Sequence, residues 1–205
     1  MNKHILVVAA ACAASLGAAA QAHTMQGELN HHAAQQSRIA ADEARGRVGA
    51  ANAATLQERA ATVERVEADA LSLHGDAASL QQLAAAERDL DRALRHAEHA
   101  KHAKPGDAID RMHARVASGR EAEQQRWIAA EFGHGTLDRE RAAQIEREQA
   151  DIATQQAAFE RHGHESVDDA LRVQHLQDVQ DWEILGSQPA APQRPLARAH
   201  GTHST

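Results

Sequence analysis

Residues 80–94 have the sequence LQQLAAAERDLDRAL, and this stretch decides the fold class. The leucines of this stretch form one stripe along a helix, and Glu87 falls on the same stripe. The alternation of apolar and polar residues that is typical of a strand is not present. A seam this narrow is typical of a coiled-coil-like helix that packs one thin face against another helix. The large apolar residues recur three, seven and four positions apart, at Leu80, Leu83, Leu90 and Leu94.

The rest of the chain has the same helical character. Alanine, glutamine, glutamate and arginine dominate it, and aromatic residues make up only 2%. A polar leader is expected at 23–30, followed by a first helix at about 31–73 in which Gly46 and Gly49 are weak points. Asp76 and Ser166 are suited to cap later helices. Breaks that contain glycine or proline lie at 74–76, 104–107, 133–136 and 162–164. These four breaks divide the chain into five predicted helices.

The predicted fold is all-α. Because each helix offers only a thin apolar stripe, we expect an elongated antiparallel helical hairpin or meander with coiled-coil-like seams. A compact four-helix bundle is the alternative. We expect one helical domain at 23–185, with a possible subdivision near 104–107. The proline- and alanine-rich residues 186–205 are expected to form a disordered tail.

The N-terminus has the pattern of a cleavable signal peptide. Lys3 precedes an apolar run at 5–20, and Ala20-Gln21-Ala22 is a small-x-small cleavage pattern. We therefore predict a signal peptide at 1–22, a mature chain in the periplasm or secreted, and no membrane span after signal removal. A membrane anchor fits less well because the run is short and alanine-rich. A lipoprotein would use Cys12, which lies too early in the run.

Several function classes are excluded by composition. Cys12 is the only cysteine, and we expect it to leave with the signal, so thiolate metal sites and disulfides are not expected. A formal charge of −7 and few aromatic residues argue against nucleic-acid binding. The sequence contains no nucleophile elbow, zinc-protease motif or phosphate-binding glycine loop, so we expect no enzyme activity.

A repeat of 28 residues is visible in the second half, where Leu137 and Glu165 begin corresponding units. A pattern of glycine turns and regularly spaced apolar and glutamine residues runs through Gln124, Ile128, Gly135, Leu137, Ile145, Gln149, Ile152, Gly163, Val173, Gln177 and Ile184. In this pattern the chain over about 120–184 resembles an uncharacterised family of small secreted or periplasmic proteobacterial proteins, whose helices are separated by Gly-x-Leu-Thr-x-x-Glu-like turns. The resemblance implies an exported helical-repeat protein and no particular activity.

Histidine is the residue type that suggests chemistry, with 15 in the chain. Neighbours three residues apart share a helix face and can chelate copper, nickel or zinc. The alternatives are a capping or solvated role near helix ends and pH sensing. His31 and His32 are a further pair. They could also fold back to complete a copper site with His23, which cleavage would make the N-terminus. The principal candidate metal ligands are His96, His99, His102, His23, His162 and His164.

The favoured functional hypothesis is a non-catalytic interaction or structural module that acts by helix–helix contact. It rests on the apolar stripes at 80–94 and 145–159, and its partner is a second copy or another envelope protein. The alternative is a histidine-based transition-metal binding or metal-stress protein with copper, nickel or zinc as its only possible cofactors.

Overall fold

The computed structural model describes residues 3–99, 108–162 and 166–186. Within them the chain is helical without any strand, so the predicted all-α class is confirmed. No helix in this described part is both long and apolar enough to cross a membrane. The helices are α1 (Lys3–Ala44), α2 (Ala50–Ser72), α3 (Ala77–His99), α4 (Ala108–His134), α5 (Arg139–His162) and α6 (Val167–Gly186).

The first predicted helix is wrong in its bounds, because two helices occupy that region and the first begins earlier. Gly46 has φ +65 and ends α1, where its N–H bonds Glu43 O and the N–H of Arg47 bonds Asp42 O, both at 2.9 Å. This pair of bonds closes a Schellman motif, which needs a residue in the left-handed region. The expected polar leader at 23–30 is part of α1, and its Met25 is fully buried.

The later helix ends follow the predicted capping chemistry. Asp76 Oδ1 accepts from Ser79 N at 2.7 Å and caps α3. Ser166 and Asp169 exchange the bonds of a capping box at the start of α6. At the end of α2, both His74, with φ 59, and Gly75, with φ 65, have left-handed conformations. The predicted break and possible domain subdivision at 104–107 lie outside the described residues.

Two glycines of similar surroundings predict opposite stability changes. Gly135 has φ +72 in the turn after α4, whereas Gly119 lies inside α4, and a Cβ would meet nothing within 4 Å at either position. We expect Gly135→Ala to lower the free energy of unfolding by about 1 kcal/mol, because an L residue is strained there. Gly119→Ala is expected to raise it by up to about 1 kcal/mol through helix propensity. Urea unfolding of both variants measures the difference, and equal effects would contradict the assignment of this turn.

Four helices, α1, α2, α4 and α5, share one interior, and α3 and α6 pack outside it. Ser118 of α4 shows this sharing directly. Its hydroxyl donates to Glu43 of α1 and accepts from Gln57 of α2 at 3.3 Å and from Gln156 of α5 at 3.5 Å. The interior therefore belongs to all four helices, as in the bundle alternative.

The inner helices pack in antiparallel pairs, as the narrow seams predict. In the pair α1 and α4, Gln26 Nε2 donates to Ala129 O at 2.7 Å. Later in α1, Glu43 accepts from Ser118, which comes earlier in α4, so the two helices run in opposite directions. In the pair α2 and α5, Arg147 donates to Ser72 Oγ at 2.6 Å. Helix α3 packs mainly on α2, and α6 packs on both α5 and α4.

The second three helices repeat the first three. Gln35 of α1 donates to a backbone oxygen of α3 at 3.1 Å and to Asp91 Oδ1 at 3.0 Å. Gln124, 89 residues later on α4, donates to a backbone oxygen of α6 at 2.9 Å and to Asp181 Oδ1 at 2.6 Å. The offset is 89 residues in the first two helices of each half and 90 in the third.

The burial pattern follows the same offset. Gly46 and Gly135 end the first helix of each half with the same left-handed turn. The sequence QQxxIAA occurs at 35–41 and again at 124–130, so the repeat has a trace in the sequence. Equivalent buried pairs are Ile39 and Ile128, Leu56 and Ile145, Val63 and Ile152, Leu83 and Val173, and Leu94 and Ile184.

Candidate functional site

The shared interior is rich in carboxyl groups. No lysine or arginine is buried with them among the residues whose side chains are described. Burial of a carboxylate without a counter-charge is costly, so the interior needs protons, hydrogen bonds or a cation to compensate. The buried acidic residues of the shared interior without an arginine partner are Glu43, Glu64, Glu67, Glu121 and Glu146. Two further buried acidic residues differ from these, because Asp42 pairs with the exposed Arg45 and Arg47, and Glu87 lies on α3.

The centre of this interior joins three helices. His32 of α1 and Glu67 of α2 are completely buried, and their Nδ1 and Oε2 atoms are 2.6 Å apart. Glu146 of α5 is also completely buried, and it contributes a carboxylate oxygen to the group. One potential ligand atom from each residue lies within 4.8 Å of the other two. We call these three residues the His-Glu-Glu cluster.

Neighbouring amides hold the carboxyl groups around this cluster. Gln125 Nε2 donates to Glu146 Oε2 at 2.9 Å, and Gln36 Nε2 donates to Glu64 Oε1 at 3.1 Å. Gln36 and Gln125 occupy equivalent positions of the two halves. Each therefore orients a carboxyl group of the following helix.

Several polar atoms of the cluster have no hydrogen-bond partner. They are His32 Nε2, Glu67 Oε1 and Glu146 Oε1, and Glu64 Oε2 of the same interior is also unpartnered. Buried polar atoms are satisfied in the great majority of folded proteins, and exceptions call for a bound water, ion or functional role. The cluster therefore has unused coordinating capacity.

Burial also sets the protonation of the cluster. Desolvation lowers the pKa of His32 to about 4, although Glu146 opposes the shift. Desolvation raises the pKa of Glu146 to about 8, and the neighbouring Glu67 adds to that shift. Burial likewise raises the pKa of Glu67 well above its usual range. At neutral pH without a cation, the imidazole of His32 is therefore neutral and the carboxyl group of Glu146 is mostly protonated.

Holding these protons has a measurable cost. A carboxyl with an unfolded-state pKa of 4.5 is ionised in the unfolded chain at pH 7, so keeping it protonated in the fold costs about 3 kcal/mol. Several such groups together cost an amount comparable with the whole stability of a typical domain, which is about 5–15 kcal/mol. The packing of the remaining core has to offset this cost unless something else neutralises the carboxylates.

The predicted metal ligands lie elsewhere. His96 and His99 are exposed in the last turn of α3, and His96 borders a shallow cleft that also contains Arg59 and Arg92. These guanidinium groups disfavour a cation at His96. His102 and His164 lie outside the described residues.

The two remaining candidates lie in helices, but their side chains fall outside the described part of the structure. They are His23 in α1 and His162 at the end of α5. Helix α1 runs without a break from His23 past His31, and eight residues of helix span about 12 Å. His31 and His32 therefore do not fold back toward His23, and His32 instead belongs to the buried cluster.

Sequence reasoning included His32 as a candidate but missed its carboxylate partners. Glu67 lies four residues after Val63 and four before Leu71, on the buried stripe of α2. Glu146 directly follows buried Ile145 on α5. The position of Glu67 on an apolar stripe is the sequence signal that could have indicated its burial. Glu87 on α3 shows the same signal.

Comparisons with known protein families, with curated proteins and with solved structures find no match to this chain.

Proposed function

We propose that this protein is an exported, non-catalytic helical module that associates with a second copy of itself through the outward face of α6. The observation that carries the proposal is an apolar surface on that helix. Trp182 is 78% exposed, and Leu171 and Leu185 are also exposed. At about 100° per residue these three side chains share one side of α6.

The internal repeat indicates that the fold does not require this surface to be apolar. The equivalent positions on α3 are Gln81, Arg92 and Arg95, all exposed. Both helices pack their other side against the inner bundle in the same register. The exposed apolar residues of α6 are therefore not needed for this helix to pack on the bundle. Exposed apolar patches often mark interaction sites, so we take this face of α6 as one.

The α6 face is complementary to itself. Antiparallel packing of two α6 helices about a point between residues 176 and 177 places Leu171 of one copy opposite Trp182 of the other. The same two-fold operation places His175 opposite Asp178, which also pairs with Arg120 of α4, and places Leu185 opposite Asp168. An isologous two-fold interface needs this self-complementarity, and it is the commonest arrangement in homo-oligomers. We therefore favour a second copy over an unrelated partner.

This surface replaces the one expected from sequence. The stripe at 80–94 faces the inner bundle, where Leu83 and Leu90 are fully buried. On α5, Ile145 is fully buried and Ile152 nearly so. These stripes hold the monomer together and are not available to a partner.

Export is the second part of the proposal and rests on the N-terminal sequence. Lys3 precedes the apolar run at 5–20, and Ala20-Gln21-Ala22 is the small-x-small pattern after which a signal peptidase cuts. N-terminal sequencing of periplasmic or secreted protein should give His23 as the first residue, and retention of Met1 in the cell interior would overturn export.

The association is tested with a double variant designed from the repeat. Leu171→Gln with Trp182→Arg gives α6 the residues that α3 already tolerates at equivalent exposed positions. In analytical ultracentrifugation we expect a dimer for the parent chain and a monomer for this variant, with unchanged helical circular dichroism. Arg92→Gln on α3 is the matched control and should remain dimeric. A parent chain that is monomeric at every concentration, or a variant that stays dimeric, would refute the proposal.

A further inference from the structure

We infer that the His-Glu-Glu cluster, formed by His32, Glu67 and Glu146, binds one divalent transition-metal ion inside the bundle. This goes beyond the proposed association, which uses the outer face of α6. The three residues come from α1, α2 and α5, and helix bundles build metal sites in this way from side chains on facing helices.

The spacing of the ligand atoms suits a small cation. One nitrogen and two oxygens lie within 4.8 Å of one another. Three ligands at about 2.1 Å from a common ion lie about 3.4–3.6 Å apart in tetrahedral or trigonal geometry, so ligand atoms as far apart as 4.8 Å have to approach by up to about 1.4 Å. His32 Nδ1 and Glu67 Oε2 are hydrogen-bonded at 2.6 Å, and this bond opens if both atoms ligate the ion. Rotation of the two carboxyl groups supplies movements of this size.

The unpartnered atoms are an independent observation that points to a ligand. His32, Glu67 and Glu146 each keep one buried nitrogen or oxygen without a hydrogen-bond partner. A cation accepts electron pairs from such atoms and supplies the positive charge that the interior lacks. Glu64 has another unpartnered carboxylate oxygen in the same interior, but it lies outside the group of ligand atoms within 4.8 Å of one another.

The supporting residues resemble those that orient metal ligands. Gln125 donates to one oxygen of Glu146 at 2.9 Å and leaves the other oxygen unpartnered. Outer partners of this kind fix the orientation of a ligating carboxylate. The cluster thus has both potential ligands and a residue that positions one of them.

Comparison of the two halves indicates that the side chains of the His-Glu-Glu cluster are not required for helix packing. The positions equivalent to His32, Glu67 and Glu146 in the other half are Glu121, Gln156 and Gln57. Those residues are buried in the same interior, yet no second group with metal-site geometry occurs among the described residues. The fold accommodates other polar side chains there, so the combination at the cluster is specific to it.

The donor set selects the class of ion. Imidazole suits zinc, iron, nickel and copper, whereas carboxylates favour harder ions such as manganese. One imidazole with two carboxylates therefore fits Zn(II), Fe(II) or Mn(II) best. The cluster contains no sulfur ligand, which disfavours Cu(I).

Calorimetric titration of the chelator-treated full chain with Zn(II) and Mn(II) tests the inference. We expect one ion per chain with micromolar or tighter affinity for at least one metal, and a higher Tm on binding. Glu67→Gln and Glu146→Gln should each weaken binding at least 100-fold. Each should keep the helical circular dichroism and the cooperative unfolding of the metal-free parent. A structural defect would change both in the absence of metal.

Two controls locate the site. Glu43→Gln changes another buried carboxyl on α1, 11 residues or about 16 Å along the helix from His32, and should leave the affinity unchanged. The double variant His96→Ala with His99→Ala removes the exposed pair and should also bind normally. Absence of binding by the parent chain, or loss of binding only in the His96 and His99 variant, would overturn the inference.

Discussion

Replacing Glu121 by glutamine is expected to raise the free energy of unfolding of the metal-free protein by about 3 kcal/mol at pH 7. Glu121 is completely buried on α4. Desolvation raises its pKa from 4.5 to about 8, with Glu43 adding to the shift and Gln57 opposing it. Near pH 7 the folded state holds a proton that the unfolded state has released, and glutamine removes this cost while keeping the volume.

The same shift fixes the sign of the pH dependence. Because the folded-state pKa is the higher one, the contribution of Glu121 to stability is fully present below pH 4.5 and is lost as the pH rises to about 8. Glu64 and Glu43, which face it from α2 and α1, have raised pKa values and act in the same direction. Urea unfolding between pH 5 and pH 8 should show falling stability in the parent and a shallower fall in the variant.

The matched control is Glu123→Gln, two residues away on the exposed side of α4. It should change stability by less than about 0.5 kcal/mol and leave the pH dependence intact. If Glu121→Gln destabilised the protein while the pH dependence stayed that of the parent, Glu121 would be ionised in the fold and the polar interior would require another explanation.

Truncation of the repeated isoleucines is expected to have the other large effect. Ile39 and Ile128 are fully buried at equivalent positions of α1 and α4. We expect Ile39→Ala and Ile128→Ala each to lower the free energy of unfolding by about 2–5 kcal/mol, through lost burial and the cavity left behind. Since a typical domain has only about 5–15 kcal/mol in total, the double variant should be largely unfolded.

Chemical denaturation followed by circular dichroism measures these losses. Val116→Ala on α4 is the control, because Val116 is 63% exposed and should lose less than about 0.5 kcal/mol. The two isoleucine variants should have similar losses if the two halves pack alike. A loss below about 1 kcal/mol at either position would show that the interior closes around the smaller side chain.

The interior explains how a chain with few large apolar residues forms a core. Buried alanines let the helices approach closely, and buried glutamine side chains bridge them, as Gln36 does to Glu64 and Gln124 to Asp181. Such bridges satisfy polar groups while holding the helices in register. The thin apolar stripes were therefore a correct observation, but polar side chains complete the core beside them.

Local chemistry made a large part of the fold predictable. The leucine spacing of 80–94 indicated a helix, and Asp76 and Ser166 were assigned as caps because capping depends on residues only three positions away. Gly46 was recognised as a weak point but not as a helix end. The positive φ of Gly46 marks it as a helix end. A glycine inside a helix has a negative φ, and the sequence around a glycine does not show which of the two values it takes.

By itself, the sequence determined the helical class, most of the breaks between helices and the position of Glu87 on a leucine stripe. These features depend on residue spacing within a few turns of helix. Only the tertiary structure decided which stripes pair, that α6 keeps an apolar face exposed, and that His32 meets Glu67 and Glu146. The cluster joins residues 35 and 79 positions apart along the chain. Their proximity follows from the packing of whole helices, so no local pattern around any one of them could specify it.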